Sequence, residues 1–445
     1  MEQQAAGQKR AEDQYRARLK QILTGLFFCI VLFCMLLLVT GISSDEVNPD
    51  EPQTGPAVLY YRTHFWPADI RKLGDEYFSG YGMTRLWELT PFYLLAGKLS
   101  LLSDAYGNFR YFGVALAVLI MGVCIGMLPK YPAFSLVFLA TPQVWYLFSY
   151  ATSDAFDYTL SVICLYQLLK RDSLLNRLLD GTRRGWAAYP ALGLLFALVL
   201  MGKKNYYLTD LWVFGVLLLR LWHLLTAKEK KAFFGRCLIL LTVSLTILGI
   251  REAYDQKMYG FRKAEVIREQ MELRALSAYR ESTAPEEQAP SLHLHAKGVG
   301  LWQFFTEYSF FDLLGKSFAG LFGIYKIGTN DLYYLVFYLD LLAILILWGR
   351  AAFRERGDPF PKRYYIFALL LTAMGFALVV YNAYMVDYQP QGRYLFPLIP
   401  IWCYGLCITK GLWDSRVFRA LIAVLPLMSL LFYACVGTPR LLALG

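Results

Sequence analysis

Four carboxylates stand together in the stretch Ser43-Ser44-Asp45-Glu46-Val47-Asn48-Pro49-Asp50-Glu51-Pro52, directly after a long apolar run. Such a group reads either as a solvated acidic loop or as a carboxylate held at a membrane surface to act as a general base. In the second reading its acidic neighbours raise its pKa or hold a cation. A second acidic pair, Asp154 and Asp157, lies in YATSDAFDYTL. A helix N-cap at Ser153 or Asp154 accounts for part of it. Asp157 falls within the first turn of an apolar segment, where a carboxylate is expensive unless it faces a polar cavity. Two acidic groups from separate loops would form one shared site. The cations that could complete it are Lys203 and Lys204 in MGKKNYYL and Arg393 in YQPQGRYLFP. The lysines have an alternative role as snorkelling helix-end anchors. Arg393 follows Gly392, which permits a tight turn, and a planar guanidinium suits a phosphate oxygen pair, here the phosphate of a lipid. Tyr60, Tyr61 and Trp66 lie close enough in sequence to the acidic loop to stack on a sugar, whereas the other tyrosines and tryptophans fit membrane-interface belts. His64, His293 and His295 read as surface histidines, since His-x-His without a third ligand at a recognisable spacing is a weak metal signal. No Walker sequence, Gly-rich dinucleotide loop or His-Glu-x-x-His is present, so nothing points to a nucleotide.

The elements that must position these residues are membrane helices. The chain has 445 residues, 57% hydrophobic and 18% charged, with a mean hydropathy of +0.39, which excludes a soluble enzyme. Its continuous Leu, Val, Ile and Phe runs also exclude the short alternating segments of a transmembrane β-barrel. Apolar windows fall at 22–42, 111–128, 133–150, 156–169, 187–201, 206–226, 233–250, 331–349, 364–381, 394–409 and 417–436, about eleven spans. The expected fold is therefore an all-α polytopic membrane protein. Its parts are a cytoplasmic segment 1–21, a transmembrane module 22–250 carrying the reactive loops, a long outer loop 251–330 and a second transmembrane module 331–445. The eight cysteines form no Cys-x-x-Cys pair and sit inside apolar runs, so neither a disulfide framework nor a cysteine metal site is expected.

The formal charge of +10 raises the question of nucleic acid, which the placement of the charge answers in the negative. With the N-terminus in the cytoplasm, the inner segments are more than twice as dense in Lys and Arg as the outer ones, as the positive-inside rule requires. All the reactive residues above then lie on the outer face. Segments 89–103 and 301–324 are apolar but carry Lys98, and Glu307, Asp312 and Lys316 respectively; they read as interfacial or re-entrant helices. Residues 261–281 are charged and helix-favouring, and 282–291 form a Pro-containing linker.

The acidic pair Asp50-Glu51 after the first span, the segment Glu88-Leu89-Thr90-Pro91-Phe92-Tyr93-Leu94-Leu95, and Asp154 in the next outer loop together resemble the GT-C class of integral-membrane glycosyltransferases. Asn48-Pro49-Asp50-Glu51-Pro52 and Gln391-Gly392-Arg393-Tyr394-Leu395-Phe396-Pro397 also look like a bacterial subfamily of that class with Pro-Asp-Glu-Pro and Gln-Gly-Arg-Tyr signatures. The resemblance implies a GT-C-like bundle in a bacterial inner membrane and transfer of a sugar from a polyprenyl-phosphate donor to a glycan, lipid or protein acceptor, with inversion. It implies Asp50 as the base, with Glu51 as its neighbour or stand-in. Arg393 with Lys203 or Lys204 would meet the donor phosphate, and Asp154 and Asp157 would bind the acceptor or a divalent cation such as Mg or Mn. A polymerase or ligase of lipid-linked glycans, or a flippase of them, uses similar ingredients and stands as the alternative.

Overall fold

The computed structural model describes residues 2–42, 47–48, 50–102, 109–182, 185–223 and 226–444, without the side chains of 2–11, 13 and 223. Asp45, Glu46 and Pro49 lie outside the described residues. The protein is all-helical, with 74% helix and no strand among the described residues.

The chain opens with α1 (Glu2–Gly41), followed in the first long loop by α2 (Glu51–Thr63) and α3 (Pro91–Leu99), and then by α4 (Arg110–Met127). The apolar window 133–150 is not one helix. It divides into a 3-10 turn at Pro132–Ser135, α5 (Leu136–Leu139) and α6 (Pro142–Leu147). Pro132 and Pro142 each lack an N–H and suit the first turn of a helix, and each opens a new element here. The Thr141 hydroxyl accepts the Gln143 N–H and starts α6 afresh. Phe134, Phe138, Val144 and Trp145 are buried there, so the apolar composition of this window reflects protein core.

Next come α7 (Ser153–Leu169), α8 (Leu174–Leu179), α9 (Ala188–Leu200), α10 (Tyr207–His223), α11 (Ala227–Tyr259) and α12 (Lys263–Arg274). The second half holds α13 (Leu301–Thr306), α14 (Phe310–Ala319), α15 (Asp331–Arg354), α16 (Phe360–Met385), α17 (Leu398–Ile408), α18 (Arg416–Phe432) and α19 (Thr438–Leu442). Among the described residues, six helices are long and apolar enough to cross a bilayer, within Gln14–Gly41, Arg110–Met127, Ala227–Arg274, Asp331–Arg354, Phe360–Met385 and Arg416–Leu442. The remaining five of the eleven windows hold shorter or broken helices. At 1.5 Å per residue, the 13 residues of α9 reach only about 20 Å and the 11 of α17 about 17 Å.

Exposure separates the two kinds. The long α11 turns Leu238, Leu241, Leu245 and Ile250 outward, an apolar surface that suits hydrocarbon, whereas the shorter α7 is buried along nearly its whole length. The segments 89–103 and 301–324 hold α3, of 9 residues, and α13 and α14, of 6 and 10, none long enough to cross alone.

The two long loops dock on each other. The Tyr254 hydroxyl donates to the Pro67 carbonyl at 3.2 Å, that of Tyr259 to Ala68 at 3.1 Å, and the Leu276 N–H to Gly80 at 3.0 Å. Further along, the His293 N–H reaches the Val386 carbonyl at 3.0 Å, and the Ser317 hydroxyl that of Pro390 at 3.0 Å.

One buried ion pair ties the start of this assembly together. Arg110, in the first turn of α4, meets Glu51 with two parallel hydrogen bonds, Nε to Oε1 at 2.8 Å and Nη2 to Oε2 at 2.9 Å. Its Nη1 donates to the Ile42 carbonyl at the end of α1. Glu51 also accepts from Asn48 Nδ2 at 2.8 Å and from the Ala151 N–H at 3.0 Å, which fastens the loop before α7. Losing one member of a buried, doubly hydrogen-bonded ion pair costs about 3–5 kcal/mol in comparable sites. Glu51→Ala is therefore expected to lower the stability of the purified protein by about that much, with part recovered in the Glu51→Gln, Arg110→Gln double variant. Thermal unfolding in detergent measures both, and a Glu51→Ala protein as stable as the parent would contradict the role.

Candidate functional site

Beside that pair the chain enters α2 through Asp50, whose backbone is left-handed at φ 66°. Aspartate tolerates this conformation better than most residues, at a cost of about 1–2 kcal/mol. An N-cap aspartate normally accepts from the first turn of its own helix. Asp50 does not; its backbone carbonyl receives the Thr54 N–H at 2.9 Å, and its carboxylate turns away to three cations. Arg393 Nη2 lies 2.8 Å from Oδ2, Arg85 Nη2 3.3 Å from Oδ1 and Lys203 Nζ 3.9 Å from Oδ2.

Asp154 enters from the first turn of α7, where Thr152, and neither Ser153 nor Asp154, is the N-cap. Its Oδ2 takes Lys203 Nζ at 2.7 Å and Arg393 Nη1 at 3.4 Å, while its Oδ1 is buried with no hydrogen-bond partner. Arg393 sits on the 3-10 turn Gly392–Leu395 and is steadied by Gln391 Oε1 at 2.6 Å and the Tyr150 hydroxyl at 3.4 Å. Gly392 is required there, because a Cβ would collide with the Phe318 backbone at the end of α14. The structure thus brings together Asp50, Asp154, Lys203 and Arg393 from four distant parts of the sequence. Arg393 and Asp154 form the enclosed floor, with side chains 8% and 0% exposed, whereas Asp50, Lys203 and Arg85 are 22–24% exposed and face outward.

The other expected members take different places. Glu51 is enclosed by Arg110, Asn48 and Ala151, with no face open to an acceptor. Asp157 accepts the Lys203 backbone N–H at 3.0 Å and so holds the turn between α9 and α10 that delivers the Lys203 side chain. Lys204 is exposed and makes no ion pair among the described residues. Tyr61 is fully buried, eleven positions along α2 from Asp50 and so about 16 Å away. Tyr60 stacks on His64 with centroids 4.1 Å apart, and Trp66 on Tyr254 at 4.6 Å. These three aromatics pack around the far end of α2. His293 meets Gln288 and His295 packs on Tyr384. Glu88 pairs with Lys263 at 3.5 Å and belongs to the contact between the two long loops.

Arg85 was not singled out by the sequence, nor was the supporting Arg110. Both are single arginines in the long loop 43–110, where a positive charge is cheap and carries no positional signal. A small cavity of about 60 Å³ adjoins Arg393. It is lined by Tyr150, Ser317, Gln391 and by Tyr325, which arrives on a turn whose Gly323, Ile324 and Tyr325 all have left-handed φ of 60°, 54° and 63°. That conformation is costly for the β-branched Ile324. The Phe322 ring, stacked on Tyr146 at 4.4 Å, fixes the turn against α6.

No group of three His, Cys, Asp or Glu able to hold a metal converges among the described residues. Asp50 and Asp154 are already shared between Arg393 and Lys203, so a divalent cation at this donor set would have to displace both.

The electrostatics differ from the sequence expectation of a carboxylate raised by acidic neighbours. Burial alone would raise the Asp50 carboxyl, but Arg393, Lys203 and Arg85 outweigh it and hold the group well below the ordinary carboxylate range. Burial would likewise lower the Lys203 ammonium, and Asp154 and Asp50 raise it instead. A carboxyl whose folded pKa is depressed contributes stability above its unfolded pKa, about 3.9, and loses it as the pH falls through the folded value. The stability difference between the parent and Asp50→Asn is thus expected to be constant from about pH 5 to 8 and to shrink below about pH 4. Denaturation across that range measures it, and a difference that instead grows on acidification would contradict the arrangement.

Comparison with protein-family models, curated proteins and solved structures gives no match.

Proposed function

We propose that the protein is a membrane glycosyltransferase that moves a sugar from a polyprenyl-phosphate donor to a hydroxyl of a glycan, lipid or protein acceptor at the outer face of the membrane. The observation that carries this reading is the charge balance around Asp50, where three cations, Arg85, Lys203 and Arg393, meet two carboxylates, Asp50 and Asp154. A half-open cluster whose three cations outnumber the two carboxylates they pair with among the described residues, at the end of an apolar bundle, suits a phosphate ester whose lipid lies in the bilayer.

The chemistry follows from an exchange of partners. Asp50 is a weak base while it is held by three cations. A donor phosphate drawing Arg393 and Lys203 toward itself loosens that hold, and the carboxylate regains basicity as the sugar arrives. The acceptor hydroxyl attacks the anomeric carbon from the face opposite the phosphate, the bond from that carbon to the phosphate oxygen breaks, and the hydroxyl proton passes to Asp50. Polyprenyl phosphate leaves with the electron pair, and Arg393, Lys203 and Arg85 offset its growing charge. The configuration at the anomeric carbon inverts.

The same reading places the N-terminus in the cytoplasm and counts all eleven apolar windows as passages. Broken passages such as 132–147 and 392–408 are tolerable in a membrane because they are enclosed by protein. In support, residues from the loops assigned outside meet in this cluster, while Asn176, Arg220 and Arg236, from segments assigned inside, gather at the other end of the bundle. The short loops and the GT-C resemblance favour a bacterial inner membrane.

The test is turnover of a panel of radiolabelled polyprenyl-phosphate sugars by the purified protein in lipid. Donor-dependent release of polyprenyl phosphate is expected, reduced about 10²–10⁴-fold in Asp50→Asn and accompanied by weakened donor binding in Arg393→Ala. Full turnover by Asp50→Asn would remove the base. Absence of donor binding by the parent protein would remove the reading.

A further inference from the structure

The bundle has a second polar opening at the end away from Asp50. A cavity of about 340 Å³ lies between the C-terminal end of α7, α8, the C-terminal half of α10, and α17. Arg220 forms its polar wall. Its Nη1 donates to Asn176 Oδ1 at 2.7 Å, and its Nη2 to the Leu168 carbonyl at 2.5 Å and the Tyr404 hydroxyl at 3.1 Å. Every one of these acceptors is neutral. Arg171 lies at the mouth and is exposed. Neither arginine has a carboxylate within ion-pairing distance among the described residues, and Asp180, at the rim, pairs with neither. The rest of the wall is apolar, with Leu169, Leu179, Phe233 and Phe360.

Two guanidinium groups that pair with no carboxylate among the described residues, one of them half-buried beside apolar helices, are an arrangement that an anion completes. An unbalanced charge in such surroundings is costly, and forked donors match phosphate oxygens. The apolar wall adds what a free ion would not need, a surface for the acyl shoulder of a lipid. Basic hollows between membrane helices bind anionic headgroups on these terms.

We propose that this cavity binds the phosphodiester headgroup of an anionic membrane lipid, with Arg171 and Arg220 as its ligands. The occupant bridges α7, α8, α10 and α17. Three of these bear on the Asp50 cluster at their opposite ends, since Asp154 opens α7, the Lys203 turn precedes α10, and the Arg393 turn precedes α17. A lipid seated here would hold those elements in register.

The test uses the full chain, delipidated in mild detergent and titrated with phosphatidylglycerol, phosphatidylcholine or inorganic phosphate, with bound lipid counted by native mass spectrometry and thermal stability followed in parallel. Phosphatidylglycerol is expected to bind and stabilise in preference to phosphatidylcholine. At about 1 kcal/mol for each basic residue near an anionic surface, Arg171→Gln should weaken retention about fivefold. Arg171 is exposed and makes no side-chain hydrogen bond or ion pair among the described residues, so this variant is expected to fold as the parent does. Arg356→Gln, which removes an exposed charge outside the cavity, should leave retention unchanged. Equal binding of the two lipids, or equal loss in Arg171→Gln and Arg356→Gln, would overturn the site. Full stabilisation by inorganic phosphate alone would overturn the lipid and assign a free phosphate instead.

Discussion

The buried pair of Glu51 and Arg110 is the interaction on which the arrangement of the cluster depends. An enclosed guanidinium at the start of α4 is unfavourable both because it is desolvated and because it sits at the positive end of a helix dipole. A carboxylate with its own remaining lone pairs satisfied offsets that, and Glu51 meets the condition through Asn48 and the Ala151 N–H. The pair therefore fixes the end of α1, the starts of α2 and α4, and the strand of chain leading into α7. Asn48 extends the lock, since its Oδ1 receives the Tyr146 hydroxyl at 3.0 Å and Tyr146 stacks on Phe322. Once Glu51 points inward, Asp50 beside it must point elsewhere, and its left-handed backbone turns it toward Arg393. Two adjacent carboxylates thus divide into one that holds the fold and one that faces the opening.

That division explains how much of the site the sequence revealed. Asp154, Lys203 and Arg393 stand where an apolar run meets a short loop, and charge at such a junction is rare enough to be noticed. Asp50 and Glu51 were found as a pair, but nothing in two neighbouring acids says which one Arg110 will take, because Arg110 lies far along the chain and has no spacing relation to either. Arg85 escaped for the same reason, being one charge among many in a long polar loop. The aromatics Tyr60, Tyr61 and Trp66 were plausible sugar platforms only by nearness in sequence. The length of α2 carries Tyr60 and Tyr61 well away from Asp50, Trp66 lies beyond its end, and residues that close a helix end resemble in composition those that stack on a ligand.

The fold was readable in class and blurred in detail for a related reason. Apolar windows report burial from water, and both lipid-facing and protein-facing helices satisfy them. Six windows hold long helices. The others hold shorter elements, and at 133–150 the breaks fall at Pro132, just before the window, and Pro142 within it, each at the first turn of a new element. The 3-10 turn before α17 has a similar origin. Gly392 must approach the backbone of Phe318, and Gln391 must hold Arg393, so the chain enters the apolar run 394–409 late and α17 is short.

A polar cluster placed between apolar helices needs irregular backbone, since side chains from a straight helix cannot all converge on one point from four directions. Irregular backbone exposed to hydrocarbon would leave N–H and carbonyl groups unpaired at several kcal/mol each. The long helices resolve this conflict. α1, α4, α11, α15, α16 and the run from α18 into α19 are long enough to form the wall that meets lipid, and the elements that carry the charged residues, the turn before α2, the start of α7, the turn before α10 and the turn before α17, are breaks between helices. The buried length of α7 joins the two polar ends of the molecule and gives the cluster a rigid floor in Asp154. It follows that lengthening or straightening the broken segments to make better membrane helices would improve their fit to the bilayer and dismantle the cluster.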